Sequence, residues 1–333
     1  MGQVAALPDD RVFFRSYLAP LAPLLARDDV TDIYVNRPGE AWAESLSGKI
    51  ETHDLPALTE VLLERLARQI AALSHQGISR EHPLLSATMP DGARVQIVAP
   101  PATRGGMVLA IRKHVSPDLR LNDYADSGAF AATKPGRIGD KDDLDRRLHE
   151  LLDAGDIPVL LRTAVQNRKN VLISGGTSSG KTTFLNALLR EVPERERLIL
   201  IEDTPEITIH HPNAVGLLAA RSALGETHTS AEDLLSASLR LRPDRIILGE
   251  LRGVEAFSFL RAVNSGHPGS MTTIHADSPE RAIEQLTLLV LQAGSQLARA
   301  DVHHYVHSTV DVFVQLGRSG GRRHISEVKL RGD

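Results

Sequence analysis

The stretch L-I-S-G-G-T-S-S-G-K-T-T-F, residues 172–184, holds Gly175, four further residues, and then Gly180, Lys181 and Thr182. Glycines at those two points let backbone N–H groups close around an anion. An apolar run before them and a helical pattern after them bring the partial positive charge of a helix N-terminus to the same spot. The lysine then reaches the outer oxygens of a polyphosphate, and the hydroxyl that follows is placed to ligate Mg²⁺. The candidate nucleotide contacts are Gly175, Gly176, Thr177, Ser178, Ser179, Gly180, Lys181, Thr182 and Thr183, with Thr182 also a metal ligand.

Hydrolysing a triphosphate requires more than holding it. A carboxylate at the end of a neighbouring strand must support the metal shell or orient water. Glu250, closing R-I-I-L-G-E, meets that description and is the second metal-shell candidate. The segment I-E-D-T-P-E puts Glu202, Asp203 and Glu206 just after another apolar strand, where α/β sheets gather ligands, so one of these three is a candidate to polarise the attacking water. Farther on, His267 and His275 bracket the Gly- and Thr-rich stretch N-S-G-H-P-G-S-M-T-T-I-H-A, which reads as a γ-phosphate sensor or a subunit-contact loop. A zinc site there is disfavoured, because the chain has no Cys and no further ligand pattern accompanies the two histidines.

These residues must be positioned by a scaffold. Apolar runs at 170–174, 198–202 and 245–250 alternate with helical stretches at 181–191, 231–241 and 253–264, the order of a mainly parallel sheet covered on both faces. Residues 1–114 read differently, as an α+β domain of helices and antiparallel hairpins. Leu58, Leu62, Leu66, Ile70 and Leu73 mark one face of a helix, and 32–44, 93–99 and 107–114 are extended segments with turns between them. Residues 115–155 are polar and punctuated by Gly and Pro before a short helix near D-L-D-R-R-L-H-E-L-L, so the linker is placed there and the nucleotide domain is assigned to 156–333.

Composition sets outer limits. A chain of 333 residues is long for one core, which favours two domains. Its 38 Lys and Arg are dispersed among 42 Asp and Glu, for a net charge of -4, so strong sequence-specific binding of nucleic acid is not expected. The lack of Cys excludes disulfides and suits a reducing compartment. No apolar run approaches the roughly 20 residues that cross a bilayer, and the opening M-G-Q-V-A-A-L-P-D-D lacks the order of a secretory signal. A cytoplasmic protein is expected.

Four segments, G-G-T-S-S-G-K-T-T, I-E-D-T-P-E, L-R-L-R-P-D-R-I-I-L-G-E-L-R-G and S-G-H-P-G-S-M-T-T-I-H-A, resemble in order and spacing the Walker A, Asp box, Walker B and His box of bacterial secretion ATPases. The nearest resemblance is to the hexameric traffic ATPases of type IV secretion and conjugative DNA transfer, extended by V-T-D-I-Y-V-N-R-P-G-E and by R-R-H-I-S-E-V near the end. The resemblance implies a RecA-like P-loop domain, a double-ring hexamer, ATP and Mg²⁺ as ligands, and a motor that powers assembly of the secretion machine and translocation of DNA or protein. It implies, too, that Glu206, and after it Glu202, polarises the attacking water, and that Arg94 and Arg112 are the N-terminal-domain arginines that reach the γ-phosphate. Implied partners are the coupling protein and inner-membrane subunits of the system, with peripheral contact to the inner membrane. Ser178 stands where many members have Gly, a change expected to be tolerated provided its backbone angles stay ordinary. Two alternatives stand beside the motor of type IV secretion: a motor for type IV pili or type II secretion, and a nucleotide-gated scaffold with little turnover.

Overall fold

The computed structural model describes residues 11–114, 120–133, 143–220 and 224–332. The opening decapeptide, 115–119 and 134–142 of the expected linker lie outside the described residues. The first part of the chain is a six-stranded antiparallel sheet of β1 (Val30–Val35), β2 (Glu40–Ser45), β3 (Ile50–Asp54), β4 (Leu84–Thr88), β5 (Arg94–Val98) and β6 (Val108–Arg112) in the order β3-β2-β1-β6-β5-β4. Its helices are α1 (Arg11–Leu18), α2 (Ala22–Leu25) and α3 (Glu60–Leu73). Helix α3 starts where the Thr59 hydroxyl accepts the Leu62 N–H, and it buries Leu63, Leu66, Ala67, Ile70 and Ala71 against the sheet. Leu62 and Leu73, expected at the centre of that face, lie at its margin.

Strand alternation makes this sheet two-sided. Along β1 and β6, Ile33, Val35, Leu109 and Ile111 face the core with α1 and α3, while Tyr34, Val108 and Ala110 face a second core shared with the rest of the chain. After α4 (Leu121–Asp126), which buries nothing, α5 (Asp143–Asp153) packs Leu148 and Leu151 into the second domain. The linker therefore ends earlier than residue 155. Helix α5 is the short helix expected near D-L-D-R-R-L-H-E-L-L, and its stripe of Leu144, Leu148 and Leu151 joins it to the core of the second domain.

The second domain carries β7 (Val171–Gly175), β8 (Leu198–Glu202), β9 (Ala214–Leu218), β10 (Arg245–Leu248), β11 (Met271–Ile274), β12 (Val312–Ser319) and β13 (Arg322–Leu330), ordered β13-β12-β7-β11-β10-β8-β9. All neighbours are parallel except the β12–β13 hairpin. Helices α6 (Ile157–Gln166) and α7 (Lys181–Leu189) join α5 on one face; α8 (Ala231–Ser238), α9 (Glu255–Asn264), α10 (Pro279–Gln292) and α11 (Arg299–Thr309) supply the other. Ile199 and Ile201 point to one side of β8 and Leu198 and Leu200 to the other, so the run is apolar without alternation. This is the α/β architecture expected from the sequence. No helix among the described residues is long and apolar enough to cross a membrane.

The two domains meet through polar groups as well as the shared core. Residues 102–104 bridge onto the edge strand β9, where Leu218 N–H donates to Ala102 O and Arg104 N–H to Gly216 O, both at 2.9 Å. Arg197, 1 % exposed, donates to Leu241 O at 2.8 Å, to Asn36 Oδ1 at 2.7 Å and to Asn213 Oδ1, and its guanidinium lies 4.2 Å from the centre of the Tyr34 ring. Burial pushes its pKa down to about 10, which still leaves it charged at neutral pH. The Tyr34 hydroxyl donates to one Glu44 carboxylate oxygen, and the other accepts from Arg242 at 2.6 Å. Arg197→Ala would strip a donor from three buried acceptors, and a loss of about 3 kcal/mol in stability is expected. The only Trp, Trp42, packs against the interdomain core, so its emission should shift to the red at a lower denaturant concentration in the variant than in the parent.

Candidate functional site

Parallel strands β7, β11, β10 and β8 end side by side, and the loops that leave them surround a cleft of about 430 Å³. Residues Thr177 to Thr183 form one wall at the start of α7. Gly175 must be glycine here, because a Cβ would stand 2.4 Å from Ser179 Oγ and 3.0 Å from the Leu316 carbonyl oxygen. Ser178 has φ +59°, so the condition set for tolerating it, ordinary backbone angles, is not met. It sits in the left-handed region that costs a non-glycine residue about 1–2 kcal/mol, and the loop's curvature keeps it there.

Lys181 is buried and folded back on the loop. Its Nζ donates to Gly175 O at 3.0 Å, to Gly176 O at 3.4 Å and to His275 Nδ1 at 3.1 Å. An ammonium group has no lone pair, so Nδ1 must be the acceptor and the imidazole proton must sit on Nε2. Nε2 lies 2.7 Å from Glu250 Oε1, and Glu250 Oε2 accepts from Arg252 Nε at 2.6 Å. Arg252 Nη1 then reaches Asp203 Oδ2 at 3.2 Å. One polar chain thus joins the phosphate loop, the β11 end, the β10 end and the β8 end. Burial lowers the Lys181 pKa, the Glu250 charge opposes that shift and the Arg252 charge adds to it.

The two candidate water-polarising glutamates are placed very differently. Glu202 is buried, its Oε1 accepts the backbone N–H groups of Glu206 at 3.0 Å and Ile207 at 2.8 Å, and its Oε2 pairs with Arg104 from the first domain. Its oxygens therefore fix the loop. Glu206 is exposed to the cleft and accepts from the Thr182 hydroxyl at 3.2 Å, beside the start of α7. Thr182, Glu206 and Glu250 line the same cleft, and their oxygens are a donor set that suits Mg²⁺.

Three expected site residues stand elsewhere. His267 precedes the start of β11, at the end of the strands opposite the cleft, and its Nδ1 lies 2.9 Å from Ala262 O at the end of α9. That contact lies at the last turn of the helix, and β11 runs between His267 and His275, so one chain does not bring the two histidines together. Arg94 and Arg112 are cross-strand neighbours on β5 and β6, exposed, and line a separate cavity of about 500 Å³ with Arg240 and Arg242. Within one chain they do not reach the phosphate loop.

A family model described as Type II/IV secretion system protein matches residues 149–319. The chain is 39% identical over 336 residues to the type IV secretion system protein VirB11 of Brucella suis, covering 97% of this chain and 92% of that protein. The chain belongs to the type II/IV secretion system protein family. The VirB11 protein of Bartonella henselae is 37% identical over 324 residues, with 93% and 91% covered, and a PtlH homologue of Bordetella bronchiseptica is 40% identical over 337 residues, with 98% and 97% covered. A crystal structure of the VirB11 ATPase from the Brucella suis type IV secretion system in complex with sulphate superposes with a TM-score of 0.89, at 39% identity, covering 96% of this chain and 98% of that one.

This secretion family member carries site residues that the motifs alone did not single out. Arg252 follows Glu250 by two positions and orients it; Arg323, from the β12–β13 hairpin, donates to Ser178 O at 3.1 Å and lines the cleft; Thr273 Oγ1 holds Gly249 O at 2.8 Å. Arg104 is the fourth. It enters from the other domain, donates to Ile207 O at 2.6 Å and occupies the space where a Cβ on Gly216 would lie 2.5 Å from its Cδ. Burial lowers the Arg104 pKa. The signal in sequence was faint: an Arg in a Gly-rich loop and a Gly in a distant strand. Arg104→Ala is expected to leave the Glu202 carboxylate buried without its cation, at a cost of about 3 kcal/mol, and to loosen the 203–207 loop. Steady-state kinetics should then show kcat falling at least tenfold with KM for ATP changed little, because the phosphate wall itself is untouched.

Proposed function

We propose that the chain is an ATPase motor of a type IV secretion system. Support comes from the chain of contacts Lys181–His275–Glu250, laid at a helix N-terminus beside an exposed glutamate, together with kinship to VirB11 proteins over nearly the whole length. Lys181 would exchange its loop carbonyls for the β- and γ-phosphate oxygens. Bound Mg²⁺, held by Thr182 and through water by Glu250, would neutralise charge that develops on those oxygens. Glu206 accepts a proton from the water that attacks the γ-phosphorus, the bond to the β–γ bridging oxygen breaks, and ADP and phosphate result. His275, freed from Lys181, reports the γ-phosphate to Glu250.

A ring accounts for the two arginines that one chain leaves outside the cleft. In a double-ring hexamer, Arg94 and Arg112 of a neighbouring copy would approach the γ-phosphate, where a guanidinium best matches spread negative charge. Nucleotide binding would close the domains and hydrolysis would release them, with alternation around the ring as the mechanical output. The expected setting is the cytoplasmic face of the inner membrane, with the coupling protein and inner-membrane subunits as partners.

The test is phosphate release by the purified chain against Lys181→Ala, Glu250→Gln and Arg94→Ala. Each variant should lose at least a hundredfold in turnover, and mixing Lys181→Ala subunits with Arg94→Ala subunits should restore part of it, since some interfaces then hold both intact halves. Parent turnover no higher than that of Lys181→Ala would favour the nucleotide-gated scaffold. Mixtures without recovery would place the arginines outside a shared site.

A further inference from the structure

We propose that His303 and His307, one turn apart on α11, chelate a divalent transition metal ion at the surface of the second domain. The sequence sets up the pair. Along R-A-D-V-H-H-Y-V-H-S-T the buried residues are Val302, Val306 and Thr309, and these seat the helix. His303 and His307 each follow a buried valine, and a spacing of four puts both rings on one face, one above the other. Helices offer two imidazoles to a single zinc ion with that same spacing.

The rings already stand near the required geometry. Their centres are 4.7 Å apart and their planes are inclined at 50°. Two imidazoles bound to one ion through bonds of about 2.0–2.1 Å, at the angles of a square or tetrahedral shell, have centres about 4.5–5.2 Å apart. The Phe313 ring, centred 6.1 Å from that of His307, packs beside it and orients it. Glu284 Oε1 on α10 stands 3.7 Å from His303 Nε2, beyond hydrogen-bond reach, and the other oxygen of that carboxylate is held by Arg299. Glu284 can therefore accept from a water on the ion without leaving Arg299. Burial and the charges of His303 and His304 lower the His307 pKa, which favours the neutral ring that ligates metals.

Beside the two rings lies an open hollow of about 590 Å³, where Ala300, three residues before His303, is too small to fill the space. Among the described residues no three His, Asp or Glu side chains form a ready metal cage. The site is thus a two-ligand chelate whose other positions go to water. Imidazole suits Zn²⁺, Ni²⁺ and Cu²⁺, whereas Mg²⁺ takes oxygen ligands, so the Mg²⁺ of a nucleotide does not compete here. The pair is also remote from the cleft. Helix α11 leads into the start of β12, where Val312 pairs with Val171, and the phosphate loop leaves the other end of β7, where Leu316 pairs with Gly175.

Equilibrium dialysis of the untagged full chain, without nucleotide, against Zn²⁺ in excess Mg²⁺ tests this. The parent should hold one Zn²⁺ per chain at this site. His303→Gln and His307→Gln should each weaken it by about tenfold, while His304→Gln, on the neighbouring face of the same helix, should stay within about twofold of the parent. In the parent, Zn²⁺ should also shift the nitrogen-15 resonances of the His303 and His307 imidazoles and leave those of His304 in place. Equal loss in all three variants, or no loss in His303→Gln or His307→Gln, would overturn the proposal. So would a parent that binds no Zn²⁺, or one in which the two imidazole resonances ignore it.

Discussion

A single buried ammonium organises the second domain. Lys181 is charged, largely removed from water, and satisfied by two loop carbonyls and one imidazole nitrogen. A buried cation with such partners is stable only while all of them stay in place. That requirement ties the turn after β7 to the end of β11, and, through the 2.7 Å approach of His275 Nε2 to Glu250 Oε1, to the end of β10. The strand order makes the arrangement possible, since β11 lies between β7 and β10 and their carboxyl ends are neighbours. A phosphate oxygen would replace the carbonyls with a stronger acceptor and so break the existing chain, which is how occupancy of the cleft becomes a structural event.

The first domain takes part through Glu202. That carboxylate is held from one side by Arg104 and holds, from the other, the amides that shape the loop carrying Glu206. The position of the exposed glutamate is therefore linked to how the N-terminal sheet sits on β9. The buried Arg197–Tyr34–Glu44–Arg242 network fixes that seating over a wider area. Polar interfaces of this kind favour defined alternative arrangements over sliding, because a partial separation would leave charges without partners.

Much of this was legible in the chain itself. The phosphate loop announces itself by residue type and spacing, and the continuous apolar runs of β7, β8 and β10 follow from burial on both faces. What escaped reading depends on tertiary approach. Ser178 adopts a left-handed conformation that its neighbours impose, His267 is separated from His275 by the length of a strand, and Arg104 meets Glu202 only when two domains dock. Local pattern carries no record of such meetings. Helix α5 was legible as a short helix, whereas the core its leucines enter is supplied only by the second sheet.

The account turns on the proton of His275. Nitrogen-15 resonances of the imidazoles, with His275 assigned through a His275→Gln variant, read that proton directly in the nucleotide-free chain. The structure predicts a neutral ring protonated at Nε2, with Nδ1 accepting from Lys181, and a shift of the Nδ1 resonance when a non-hydrolysable triphosphate is added with Mg²⁺. A ring protonated at Nδ1 in the free protein, or one indifferent to the triphosphate, would contradict it.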